Sequence, residues 1–302
     1  MVTQLFLVTP AGAQPLPLPP TAAHNSDIHT LFDNLPLGVY TALRTFEHNK
    51  FLYLEAHLDR LEQSMALLGW DFRLPRPDLC QALDQACTAY PGRDARVRID
   101  VLAAAPARWG LDQRGDTGRV LIALAPFTPP PDHCYQEGVS VDLAPGLHRD
   151  HPQAKTADFV LARRAELARH TAPAGREAPY EYLLTDPAGY ILEGSSSNFY
   201  AVRQGTIWTA GEGVLGGITQ HILFQLLETL RLPLRHQAIH VADLPTLDEA
   251  FLTSSSRGVI PIVRVDGQPI GSARPGPITH QLITAYNQHV TQALRRATSP
   301  TP

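Results

Sequence analysis

The sequence predicts an α+β fold. Hairpin-like strand pairs and amphipathic helices come in blocks and not as alternating strand–helix–strand units. No GxGxxG follows a strand and no GxxxxGK[ST] occurs, so the common nucleotide-binding folds lose support. With 44% hydrophobic and 18% charged residues, the 302-residue chain can bury one large core or two moderate ones.

Taken in order, the chain opens with an apolar run, Leu5–Val8, and a proline-rich stretch, Pro15–Pro20, that reads as a loop. Gly38–Leu54 has two β-prone runs around the polar turn EHNK, a hairpin pattern. AHLDRLEQSMALLG follows as a helix, with Leu58, Leu61, Leu67 and Leu68 as its apolar stripe and Gly69 as its stop. Pro77–Tyr90 predicts a second helix, and RVRIDVLAA and RVLIALAPF predict strands. The three prolines of TPPPDH (Thr128–His133) make the best linker in the chain. The expected domains are therefore residues 1–127 and 135–302, joined by 128–134. Beyond the linker come a strand, Gly138–Pro145, and a helix, Ala157–His170. Hairpins are expected around Asp186–Gly189 and Arg203–Gly205, then a helix after VLGGITQ. Two strands flank SSSRG, and HQLITAYNQHVTQALRRA is the last helix.

The net charge of −4 gives no footprint for nucleic acid, and no apolar run approaches membrane-spanning length. The start, MVTQLFLVTPAG, lacks the basic region and long apolar core of a signal peptide, so a cytoplasmic enzyme is expected. Cys80, Cys87 and Cys134 form no CxxC and read as packed, reduced thiols. HRDH (His148, Asp150, His151) has metal-like composition but no third ligand at a familiar spacing, so no metal is expected.

The cations carry a clue. Lys and Arg together number 25, yet only Lys50 and Lys155 are lysines. Arginine stays protonated, whereas a partly buried lysine can lose its proton and attack a carbonyl. Lys50 lies in the EHNK turn as a solvated charge; Lys155 lies between a strand and an apolar helix. Read alone, Lys155 is a solvated residue ahead of a helix. Glu193 ends an apolar strand, where it is a solvated hairpin end or the counter-charge to a protonated ring nitrogen. Gly216–Thr219 opens a helix whose N–H groups suit a phosphate, or is a simple capped start. Ser254–Gly258 is a second donor-rich turn, or an ordinary polar loop. Together these groups describe one ligand with an aldehyde, a pyridine nitrogen and a phosphate: pyridoxal 5'-phosphate.

In this order the segments resemble the class-IV aminotransferase family, the fold-type IV pyridoxal-phosphate enzymes. That family includes branched-chain and D-amino-acid aminotransferases and aminodeoxychorismate lyase. The resemblance implies the two-domain D-amino-acid aminotransferase-like fold, a homodimer, and a cofactor bound as a Schiff base to Lys155 of QAKTADFV. It places Arg60 of AHLDRLEQSM at the cofactor phosphate. In ILEGSSSNFYAV it places Glu193 at the ring nitrogen and Ser197 and Asn198 along the cofactor. In VLGGIT it implies the Ile218 and Thr219 N–H groups and the Thr219 hydroxyl as phosphate contacts, and in SSSRG it implies Ser255.

The implied reaction moves an amino group from an amino acid or amine to a 2-keto acid. The alternatives are a lyase of the aminodeoxychorismate type, which releases pyruvate, and a catalytically silent binder. The substrate side departs from the family. Phe159 and Val160 stand where many relatives have an aromatic, often tyrosine. Ala103–Ala105 stand where D-amino-acid aminotransferases carry an arginine, and Asp100 falls near the place of the branched-chain enzymes' arginine, so both arginines are missing. Thr41 replaces a common glutamate. Tyr40, Arg44 and Arg98 are the candidate substrate contacts. Tyr40 and Arg44 are equally alternate-face strand residues, and Arg98 matches an arginine widely shared on this strand or, like Arg96, reads as simply facing solvent.

Overall fold

The computed structural model describes residues 3–18, 28–169 and 177–296. Pro19, Pro20, His170 and Ala297, the ends of three of the expected elements, lie outside the described residues. The α+β expectation holds. The chain divides into two compact units, Met1–Thr128 with Ala154–Val160 and Val290–Pro302, and Pro129–Gln153 with Leu161–His289. The segment that carries Lys155 thus belongs to the first unit.

In the first unit a six-stranded sheet runs β2 (Gly12–Leu16), β1 (Gln4–Thr9), β6 (Val120–Pro126), β5 (Ala95–Leu102), β3 (Gly38–Phe46), β4 (Lys50–Phe51). Its strand β6 explains its own unbroken apolar run. Val120, Ile122 and Leu124 join the core formed with helices α1 (Leu54–Leu67) and α2 (Arg76–Ala89), while Leu121, Ala123 and Ala125 join a second cluster with Ile28, Leu31 and Phe32. Both faces are covered, so alternation disappears.

Two local readings are corrected. Pro15 is not in a loop: it pairs with Phe6, and β2 is an edge strand, where a residue without an N–H costs no ladder bond. The return strand of the EHNK hairpin stops at Phe51, because Tyr53 turns into the left-handed region (φ 55°) and starts α1. Gly69 does end that helix, with φ +72°. Cys80 and Cys87 are buried free thiols on α2, and burial pushes the Cys87 thiol up to about 12.

In the second unit β10 (Ser197–Arg203), β14 (Glu249–Ser254), β15 (Gly258–Val265), β7 (Val139–Leu143), β8 (Glu181–Thr185) and β9 (Tyr190–Gly194) are hydrogen-bonded in that order. A further β9–β10 pairing closes the ring into a barrel. Beside it lie β11 (Thr206–Thr209), β12 (Leu234–His236), β13 (Ile239–His240) and β16 (Gln268–Pro269). Alternate residues such as Val139, Val141, Leu183, Ile191, Phe199, Ala201, Leu252 and Ile260 form one core cluster, as the inward positions of a closed barrel must. The β7 pairings with β15 and β8 are parallel, and they bring distant segments side by side. The remaining described α-helices are α3 (His133–Gln136), α4 (Ala157–Arg169), α5 (Ile218–Leu230) and α6 (Pro277–Arg296), and no described helix is long and apolar enough to cross a membrane.

Candidate functional site

In the first unit Lys155 is held by its backbone. Its N–H donates to Ser64 Oγ at 3.1 Å, and its carbonyl accepts the Tyr40 N–H at 2.9 Å. The next residue, Thr156, bridges to Val39 of β3. Ser64 donates its own proton to the Arg60 carbonyl at 2.8 Å, so Lys155 and Arg60 are referenced to the same turn of α1. The Lys155 Nζ lies 4.8 Å from the centroid of the Tyr40 ring, on the ring face, where a cation is attracted. Lys50, by contrast, pairs with Glu47 at 2.7 Å on the surface.

Arg60 is buried and donates from Nη2 to Thr41 Oγ1 at 3.0 Å. Thr41 Oγ1 also meets His57 Nδ1 at 2.8 Å, and both residues are fully enclosed. Because a guanidinium only donates, the threonine accepts from Arg60, and it ties His57 to the same buried cluster. Burial, then the charges of Arg60 and Lys155, hold the His57 imidazole well below its ordinary range, so it is neutral near pH 7.

The substrate candidates are placed differently from one another. Tyr40 is buried beside Lys155 and packs with Ala157 and Val160. Arg98 is 1% exposed and chelates Asp100 through Nε (2.7 Å) and Nη2 (2.6 Å), while its Nη1 meets His29 Nδ1 at 2.5 Å. Its guanidinium carbon also stands 4.3 Å from the Tyr40 ring centroid and 4.2 Å from that of Phe32. Arg44 turns away to Asp94 at 2.7 Å and lies over Phe46 and Phe127.

In the second unit the β9–β10 pairing sets Glu193 across from Asn198. Glu193 is buried, and its Oε1 accepts Arg149 Nε at 2.5 Å across an ion pair whose side chains are 5% and 3% exposed. Its Oε2 accepts the Leu215 N–H at 3.3 Å. Asn198 donates to the Leu215 carbonyl at 2.8 Å, so one residue of the glycine loop is gripped from both strands. Two residues on, a side-chain carbon at Gly217 would lie 2.0 Å from Asn198 Oδ1, which leaves room for glycine alone. Gly216 has no neighbour in the space a side chain would fill, directly ahead of the first turn of α5. The N–H groups of Ile218 and Thr219 in that turn have no intrahelical acceptor, and Thr219 is buried. Ser197 is 8% exposed, and its Oγ makes no hydrogen bond. Ser255 is half-buried in the turn between β14 and β15.

These donor sets suit the pyridoxal phosphate that the residue types suggest. A hydroxyl with no partner, an open glycine cradle at a helix N-terminus and a buried, oriented carboxylate stand in one unit. A lysine with a fixed backbone and a buried arginine stand in the other. Sequence reasoning missed Arg149, Ser64 and His57. Arg149 sits inside HRDH, where the histidines drew attention; His148 and Asp150 are exposed and 3.4 Å apart. Among the described residues no group of three His, Cys, Asp or Glu side chains could hold a metal ion.

A sequence model of the family described as amino-transferase class IV matches residues 38–265. The D-alanine aminotransferase of Bacillus licheniformis is 29% identical over 255 residues, covering 84% of this chain and 87% of that protein. The crystal structure of a putative branched-chain amino acid aminotransferase from Thermotoga maritima superposes with a TM-score of 0.68 at 26% identity, covering 84% of this chain and 86% of that one. The branched-chain amino acid aminotransferase of T.th., solved with pyridoxamine 5'-phosphate, shares the fold, with a TM-score of 0.77 at 20% identity over 100% of this chain and 99% of that one.

Proposed function

The chain belongs to the class IV amino-transferase family, is a pyridoxal-phosphate-dependent aminotransferase, and we propose that Lys155 is the residue on which its transfer of an amino group turns. The observation that carries this is the contrast between the two lysines. Lys155 has both backbone groups fixed and its amine over a buried tyrosine, whereas Lys50 is spent on a surface ion pair.

When bound, the cofactor supplies an aldehyde that holds the amino group and a protonated ring that draws electrons from the substrate carbon. The rest falls to this chain. Nζ of Lys155 would hold the cofactor at rest and, once an incoming amine has released it, would take the proton from the substrate carbon and return it on the other side of the transfer. Clamping of the lysine backbone by Ser64 and Tyr40 limits how far that amine can swing. Glu193 would meet the ring nitrogen, and Arg149 keeps its carboxylate turned to one orientation. Arg60, the first turn of α5, Ser197 and Ser255 would hold the phosphate and the ring edge, with Asn198 shaping the glycine loop.

On the substrate side, Tyr40 is the best-placed candidate. The complete pairing of Arg98 with Asp100 and His29 supports a role in bracing Tyr40 rather than in reaching a substrate carboxylate. Arg44, held by Asp94, is a weaker candidate. A homodimer and a cytoplasmic location belong to the same proposal.

The relatives named above are aminotransferases, so the lyase alternative is not favoured. The test is a donor panel of D-alanine, L-leucine and 1-phenylethylamine, each with a keto acid acceptor. Cycling that depends on the keto acid supports transfer and identifies the donor class. Pyruvate released from aminodeoxychorismate, with no transfer from any donor, would overturn it.

A further inference from the structure

We infer that Arg257 and Glu181 are positioning residues that lock the two serine turns, 195–197 and 254–257, into one frame, and that cofactor retention depends on this frame. The inference rests on the cofactor reading above. It starts from Glu181, 4% exposed at the head of β8 and remote in sequence from both turns. Its Oε1 accepts the Ser196 N–H in a short hydrogen bond and the Ser196 hydroxyl at 3.0 Å. Its Oε2 receives Arg257 Nη1 at 2.6 Å.

Arg257 then spreads its remaining donors over both turns. Nε reaches Ser254 Oγ at 2.8 Å, and Nη2 reaches Ser196 Oγ at 2.9 Å and the Ser196 carbonyl at 3.2 Å. Its own carbonyl accepts the Tyr135 hydroxyl at 2.9 Å, and Arg163 holds the Ser195 carbonyl at 3.2 Å. The guanidinium thus joins Glu181 to a serine of each turn, with the Tyr180 side chain as a further neighbour.

Burial of such a pair is weak evidence for stability, because desolvation offsets most of the attraction. What it gives is geometry. The network also sorts the serines. Ser196 and Ser254 are consumed by Glu181 and Arg257, while Ser197 keeps a buried hydroxyl with no hydrogen-bond partner and Ser255 stays out of the network. A side-chain carbon at Gly194 would lie 2.1 Å from Ser197 Oγ and 2.9 Å from Glu181 Oε1, so a glycine is needed for both to crowd against the backbone there. The frame thus presents two serines, one per turn, and ties up their neighbours.

The experiment titrates pyridoxal 5'-phosphate into cofactor-free wild type, R257K, R257M, E181Q and the double variant E181L/R257L. Kd is read from visible absorbance, geometry from the induced circular dichroism of the bound cofactor, and stability from urea midpoints without cofactor. R257K keeps the charge but loses the fork, so Kd should rise about tenfold with an altered dichroism band and little change in midpoint. E181L/R257L should regain the midpoint lost by R257M without regaining affinity. Equal Kd and identical dichroism in wild type and R257K, or affinity that tracks the midpoint across all variants, would overturn the inference and leave the cofactor reading intact. A wild type that binds no cofactor would overturn the cofactor reading itself, and the inference with it.

Discussion

Replacing Arg149 with methionine isolates the electrostatics around Glu193. In the wild type the two charged groups meet at 2.5 Å with side chains 5% and 3% exposed, a pair shielded from solvent. At an effective dielectric of about 20, two unit charges some 4 Å apart attract by about 4 kcal/mol. Removing one member of a buried pair costs about 3–5 kcal/mol, because the other charge stays buried. The Leu215 N–H, which donates to the other carboxylate oxygen at 3.3 Å, is neutral and brings no countercharge. R149M should therefore lower the unfolding free energy of the cofactor-free protein by about 3–5 kcal/mol.

If the penalty is a stranded charge and not lost packing, neutralising the partner removes it. E193Q on the R149M background should recover at least about 2 kcal/mol, a coupling typical of directly touching groups. Urea midpoints of the four proteins, followed by far-ultraviolet circular dichroism, give the cycle. A loss below about 1 kcal/mol in R149M, or a double variant as unstable as the two single losses added together, would refute the reasoning.

Three other consequences are as direct. In G217A the backbone itself is ordinary for alanine (φ −77°), so the whole penalty comes from the 2.0 Å clash with Asn198; about 1–3 kcal/mol of stability and weaker cofactor titration are expected. D100A strands the buried Arg98 guanidinium, and a loss of about 3–5 kcal/mol of unfolding free energy in urea is expected, against a smaller one for D94A, whose partly buried partner Arg44 keeps more access to solvent. Burial pushes the Glu181 carboxyl up, but the Arg257 charge and the Ser196 hydrogen bonds outweigh it and hold the group below the ordinary carboxylate range. Its contribution to stability is thus complete above the ordinary carboxylate range and is lost as pH falls through the lowered value. E181Q should flatten the acid limb of a stability–pH curve, and an unchanged limb would contradict this.

Much of the fold was legible because local chemistry agreed with it. Gly69 ends its helix with the left-handed backbone that its place after the apolar stripe suggested, and Gln204 and Gly205, both at positive φ, make the tight turn expected there. Pro15 misled because a proline breaks a central strand but not an edge, and edge status is a property of the sheet. The site shows the same division. Lysine scarcity and the GSSSN stretch drew attention to Lys155 and to the Glu193 strand, but each alone had an ordinary solvated reading, and their roles came from the family resemblance. Arg149 lies 44 residues before Glu193, and Arg257 lies 76 residues after Glu181. Barrel closure and the parallel β15–β7–β8 pairings bring such partners together, and no local pattern encodes them.

One covalent trapping measurement bears most directly on Lys155. Borohydride reduction of the cofactor-loaded protein, followed by digestion and peptide mass mapping, fixes the label where the Schiff base stood. With only two lysines in the chain, the readout is a choice between positions. A phosphopyridoxyl group on the peptide containing Lys155, and its absence from K155A, is the expected result. A label confined to Lys50 or to the chain's amino terminus, or a reducible visible band that survives in K155A, would contradict it.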